Sequence, residues 1–120
     1  FSGIKTSILN LYHKNPDINK ANLCASFEKT VTDMLVNNTR KAIKNLKLDK
    51  VALAGGVSAN TYIREKFNKL GMEENIKVYY PDKILCTDNA AMIASAGYYN
   101  YIKGNVSDLT LNAIANLKLN

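Results

Sequence analysis

The stretch Val51-Ala52-Leu53-Ala54-Gly55-Gly56-Val57-Ser58-Ala59-Asn60 constrains the fold more than any other part of the chain. Four apolar residues without polar alternation read as a parallel strand covered on both faces, and two glycines then stop it. Gly55 and Gly56 permit positive φ and let a ligand approach the backbone without meeting a Cβ. Ser58 is the expected N-cap of the next helix, so Asn60 falls in its first turn; the stripe Ala59, Ile63, Phe67 and Leu70 repeats at helical spacing, with Gly71 as the expected stop. Strand, glycine turn and helix N-terminus together point free N–H groups and a positive dipole end toward a ligand beyond the strand. A Gly-Gly pair by itself more often marks nothing but a tight turn.

The flanking segments supply partners for this unit. Ile4, Ile8, Leu11 and Tyr12 lie on one face of a short helix ended by Asn15-Pro16. From about Asn19 to Leu46, the spacing of Leu23, Phe27, Val31, Met34, Leu35 and Ile43 predicts one long amphipathic helix. Residues 48–54 are the first predicted strand, and the alternation of Ile76, Val78 and Tyr80 makes residues 76–80 the second, closed by Pro81. Strand, helix, strand in this order implies a parallel crossover and an α/β fold. Thr87 to Lys103 follows as a helix apolar almost all round, expected to be buried and capped by Thr87 or Asp88; beyond Asn105 the expectation is an extended arm with a loosely held end. Residues 1–120 carry no internal linker and read as one domain. Two strands do not provide sheet neighbours for a run as apolar as Val51 to Ala54, which suggests the C-terminal part of a larger α/β protein.

Composition excludes several classes. The chain has 120 residues, 47% hydrophobic and 22% charged, which suits a folded domain rather than a disordered tail. No run is long enough to span a bilayer and no signal-like succession opens the chain, so the expected location is cytoplasmic. Cys24 and Cys86 have no CxxC spacing and support neither a disulfide framework nor a zinc ribbon. A formal charge of +6 is permissive for an anionic partner such as RNA. Only Arg40 and Arg64 are arginines, and the lysines are dispersed apart from Lys41, Lys44, Lys47 and Lys50 near one helix end.

Few side chains are candidates for chemistry. Asp88, at a helix start, suits an N-cap, a metal-ligating carboxylate or an acceptor for a ligand hydroxyl, and capping is the simplest role. His13 is the sole histidine and reads as a solvated surface residue, so the chain by itself does not build a transition-metal site. Ser58 lacks a GxSxG elbow and a base, and Cys86 reads as a small loop residue. The tyrosines 79, 80, 98, 99 and 101 read as packing residues rather than base-stacking platforms.

Three separated motifs carry a resemblance: Phe1-Ser2-Gly3-Ile4-Lys5-Thr6, Ala54 to Asn60 and Cys86 to Ala94. In order and spacing they are similar to the C-terminal third of the tRNA N(6)-adenosine threonylcarbamoyltransferase family (TsaD), and Asp108 to Asn112 resembles its closing segment. The resemblance implies an actin-like ATPase-type fold of the sugar kinase and Hsp70 superfamily, with two lobes closing on a nucleotide-like ligand. It implies transfer of threonylcarbamoyl from threonylcarbamoyl-AMP to the exocyclic amine of the adenosine beside the tRNA anticodon. Carried over by motif, Asn60, Gly55 and Gly56 would bind the adenylate and Asp88 would ligate one divalent metal, iron being the usual assignment. The two histidines of the family's HxxxH motif would lie before Phe1. Implied partners are tRNA and subunits of the TsaB and TsaE type. The 120 residues alone are expected to be inactive and to self-associate. The alternative is a non-catalytic nucleotide-binding scaffold on the same fold, and a sugar or carboxylate kinase fits the motifs less well.

Overall fold

In the computed structural model, residues 3–116 are described. They form four α-helices and a small parallel sheet, an α/β arrangement. Phe1 and Ser2 of the first motif and residues 117–120 of the expected arm lie outside the described residues. The chain divides into two compact units at Thr87–Asp88.

The first unit opens with α1 (Ile4–Lys14), which ends at Asn15 just before Pro16, as the sequence predicts. Ile4, Ile8 and Tyr12 of its apolar face are half-buried, whereas Leu11 is exposed. Next comes α2 (Lys20–Leu46), where the Asn19 side chain accepts the Asn22 N–H at 3.0 Å. Its stripe is real but partial. Ile43 is buried and Leu35 and Val36 pack beside it, while Phe27 and Met34 are exposed. Thr32 is fully buried, and its hydroxyl satisfies itself on the Glu28 carbonyl one turn back at 2.7 Å.

Strand β1 spans Lys50–Ala52 and β2 spans Lys77–Tyr79, paired in parallel with Val51 opposite Val78. Both are shorter than residues 48–54 and 76–80. The bond from Leu53 N–H to the Tyr79 carbonyl, 2.8 Å, extends the pairing by one step before the glycines turn the chain away. Ala52 is exposed, because the sheet has two strands and α3 (Thr61–Glu74) takes up Val51, Leu53 and Val78. Ile63, Phe67 and Leu70 of α3 form the core with Ile43.

Gly71 does not stop α3. The helix runs on to Glu74 and ends at Asn75 in the left-handed conformation, φ 53°. Gly71 is buried, and a Cβ there would lie 2.9 Å from Val78 Cγ2 and 3.1 Å from the Ile76 carbonyl oxygen. The glycine is a packing residue that lets α3 sit close on β2. Outside this seam, Arg40 of α2 reaches Glu73 at 2.6 Å and Glu74 at 2.7 Å, with Lys44 adding a 3.3 Å pair to Glu74.

The second unit contains α4 (Ala90–Ile102) followed by turns and irregular backbone. Its cap is Asn89, whose side chain accepts the Met92 N–H at 3.0 Å, not Thr87 or Asp88. The expectation that this helix is buried is also corrected. None of its residues is buried, because the described part of its own unit has no second helix or sheet to cover an all-round apolar surface. In the arm, Val106, Leu109, Leu111 and Ile114 are exposed, and Asp108 holds a local turn by accepting the Thr110 N–H at 2.9 Å.

Candidate functional site: the turn between strand and helix

The chain leaves β1 and reverses through Gly55, at φ 82° and ψ 168°, a region essentially confined to glycine. A Cβ on Gly55 would meet nothing within 4 Å, so conformation rather than crowding requires the glycine, and the space above it is open. Gly56, also exposed, starts a short 3-10 turn, Gly56–Ala59, and its added Cβ would only touch Thr87 Cγ2 at 3.9 Å.

Asn60 is the N-cap of α3 rather than a first-turn residue. Its Oδ1 accepts the Ile63 N–H at 3.0 Å, and its Nδ2 donates to Glu28 Oε1 on α2 at 2.8 Å. These two bonds fix which way the amide faces, yet one N–H and one oxygen lone pair remain for a ligand. Between α2 and this cap lies a cavity of about 530 Å³, lined by Cys24, Ala25, Phe27, Glu28, Val31, Thr32, Val57, Asn60 and Ile63. Its walls are apolar except where Glu28, Thr32 and Asn60 face it, the usual make-up of a small-molecule pocket.

Ser58 is not the cap. It is buried, its Oγ donates to the Gly55 carbonyl at 2.7 Å, and the same oxygen lies 3.2 Å from Cys86 Sγ. Cys86 is a buried free thiol in the short segment after β2, whereas Cys24 is free and exposed. Arg64, one turn into α3, ties the parts together. Its Nε donates to the Ser58 carbonyl at 2.6 Å, and Nη2 donates to the Pro81 carbonyl at 2.7 Å and to Cys86 Sγ at 3.1 Å. Lys83 Nζ reaches Thr61 Oγ1 at 2.8 Å, placing a cation at the start of α3.

Asn60, Gly55 and Gly56 therefore share one turn in the first unit, while Asp88 is an exposed residue at the start of the second. Among the described residues no group of three His, Cys, Asp or Glu side chains is placed to share a metal ion. Asp88 can supply one carboxylate, so the described residues do not by themselves fit a complete metal site. His13 is exposed, and the tyrosines expected in packing roles, Tyr79, Tyr80, Tyr98, Tyr99 and Tyr101, are exposed as well.

The pattern of residue types did not reveal Glu28, Arg64 or Lys83. One signal was available for Arg64. In a chain that uses lysine almost everywhere, two arginines mark places where a planar fork of donors is needed, and both Arg40 and Arg64 make such forked contacts.

Residues 1–95 match the family model described as tRNA N6-adenosine threonylcarbamoyltransferase. Curated proteins of that name are similar over 99% of the chain: 52% identical in Clostridium novyi, 51% in Clostridium kluyveri and 50% in Clostridium perfringens. The chain spans 36% of the length of each.

Proposed function

The chain belongs to the tRNA N6-adenosine threonylcarbamoyltransferase family, and from this premise we propose that it is the C-terminal part of a two-lobed, actin-like transferase that modifies tRNA in the cytoplasm. The complete protein transfers threonylcarbamoyl from threonylcarbamoyl-AMP to the exocyclic amine of the adenosine beside the anticodon. The amine nitrogen bonds to the carbamoyl carbon, the bond from that carbon to the phosphate oxygen breaks, AMP leaves with the electron pair, and the amine proton passes to solvent.

The observation that carries this reading is the turn from Gly55 to Asn60. It offers open backbone at Gly55 and an amide whose orientation is fixed by Glu28 and Ile63 before any ligand arrives. Binding and orientation of the adenylate are the contribution these residues make, through Asn60, Gly55 and Gly56. Asp88 would hold one position on a divalent metal, iron, beside ligands from the rest of the complete protein, and the metal would supply Lewis-acid polarisation of a carbonyl oxygen. tRNA and TsaB- and TsaE-type subunits are the partners, and the net charge of +6 suits the first of them.

The test is threonylcarbamoyl transfer to unmodified tRNA by the complete protein with its partner subunits, beside the 120-residue chain alone. Activity is expected in the first and absent in the second, which should also self-associate through its exposed apolar residues in sedimentation. A complete protein that binds adenylate but never modifies tRNA would overturn the transferase reading.

A further inference from the structure

The geometry points to Arg64 as the positioning residue of the adenylate-binding turn: it fixes the backbone that presents Gly55, Gly56 and Asn60 without itself touching ligand. The inference rests on the reading of that turn as the adenylate site.

The guanidinium of Arg64 is half-buried, and among the described residues no carboxylate pairs with it. Its donors go to main-chain carbonyls, Ser58 at 2.6 Å in the loop after β1 and Pro81 at 2.7 Å in the loop after β2. Cys86 Sγ takes a third contact at 3.1 Å, and the guanidinium carbon lies 4.4 Å from the centre of the Tyr80 ring. One side chain thus staples the two loops that follow the carboxyl ends of the parallel strands, where ligands of open α/β sheets sit.

The effect on the turn is specific. Ser58 is held by its N–H on the Gly55 carbonyl at 2.9 Å, by its hydroxyl on the same carbonyl, and by Arg64 on its own carbonyl. The Arg64 backbone N–H also bonds to the Asn60 carbonyl at 3.1 Å. The side chain thereby holds the Ser58 end of the Ser58 to Asn60 segment, and the ordinary helical backbone bond ties the Asn60 end to the same residue. A lysine retains the charge but offers one compact ammonium, which does not span two carbonyls while lying on a ring.

The test uses the complete protein and AMP as the probe. Arg64→Lys should raise the calorimetric Kd for AMP by at least about tenfold, since small misplacements of a positioning group are costly. The Kd for tRNA should stay within about twofold and the melting temperature should fall by only a few degrees. An unchanged Kd for AMP overturns the proposal, as does parallel weakening for AMP and tRNA, which would mark general loss of fold. Should Arg64→Lys fail to fold, Cys86→Ala is the smaller cut in the same network: a Kd for AMP raised about two- to fivefold, restored by Cys86→Ser, supports positioning, and wild-type affinity in Cys86→Ala overturns it. Wild-type protein that does not bind AMP would bring down the adenylate reading itself, and this inference with it, whereas wild-type binding with an unaffected Arg64→Lys brings down this inference alone.

Discussion

Glu28, in the first half of α2, accepts a 2.8 Å hydrogen bond from the amide of Asn60, 32 residues further along the chain. The helix that packs on the sheet unit thus also sets the attitude of the residue that caps α3. Replacing Asn60 by alanine removes both the cap and the cross-link. Asn60→Ala is expected to cost about 1 kcal/mol of stability in denaturant melts, and to weaken a non-hydrolysable adenylate analogue by roughly 1–3 kcal/mol in calorimetry. Unchanged affinity would remove Asn60 from the ligand site.

Asn60→Asp separates those two roles. The aspartate retains an acceptor for the Ile63 N–H but sets a second carboxylate against Glu28. Stability should fall in Asn60→Asp and recover in Asn60→Asp with Glu28→Gln, because the glutamine can donate where the asparagine formerly did. A double-mutant cycle in urea reads the coupling, and additive effects would show that the contact carries no energy.

Gly71→Ala should destabilise the fold although alanine is the better helix former. The helix gains about 1 kcal/mol in propensity, and the new methyl meets Val78 Cγ2 at 2.9 Å and a backbone carbonyl at 3.1 Å. Overpacking of this kind costs about 1–3 kcal/mol. We expect a net loss, relieved in part by Val78→Ala; a more stable Gly71→Ala would show that the helix can shift outward freely.

Acid should weaken the seam between α2 and α3. The hydrogen bond from Arg40 holds the Glu73 carboxyl below its ordinary range, with the Arg40 and Lys69 charges adding to the effect. A group depressed in the folded state contributes its stability above the unfolded value, ~4.3 for glutamate, and loses it as pH falls through the folded value. The melting temperature of wild type should therefore exceed that of Arg40→Met at neutral pH and converge on it well below ~4. A gap that persists undiminished in acid would mean that Arg40 acts by packing alone.

Asp88→Ala should leave the fold as it is, within about 0.5 kcal/mol, because Asn89 rather than Asp88 caps α4 and Asp88 is exposed. In the complete protein, bound metal and threonylcarbamoyl transfer should both fall. Elemental analysis showing full metal content, together with full transfer, would end the assignment.

The crossover from β1 through α3 to β2 was legible because it rests on local periodicity and on a glycine turn. The choice between Ser58 and Asn60 as cap was not, since both residue types cap well and only the 3-10 turn, which moves the cap from Ser58 to Asn60, decides between them. Gly71 misled because a glycine after an apolar stripe signals a stop, while the close approach of Val78 depends on β2, seven residues later. The burial expected of α4 rested on its composition, and burial depends on what a fold supplies as a neighbour. Of the candidate site, the turn itself could be read, but Glu28 left no signal and Arg64 only its rarity among the lysines, because contacts spanning 17 to 32 residues leave no periodic trace.

The buried thiol of Cys86 makes the chain its own stopwatch. Cys24 is exposed and should react at once with an alkylating reagent, whereas Cys86, under Ser58 and Arg64, reacts only during the instants when the loop lifts away. The ratio of the two labelling rates in a single sample, read by mass spectrometry and divided by the same ratio in denaturant, gives the fraction of time the turn spends open when reclosing outpaces labelling, with no engineered label and no need for the modification reaction to run.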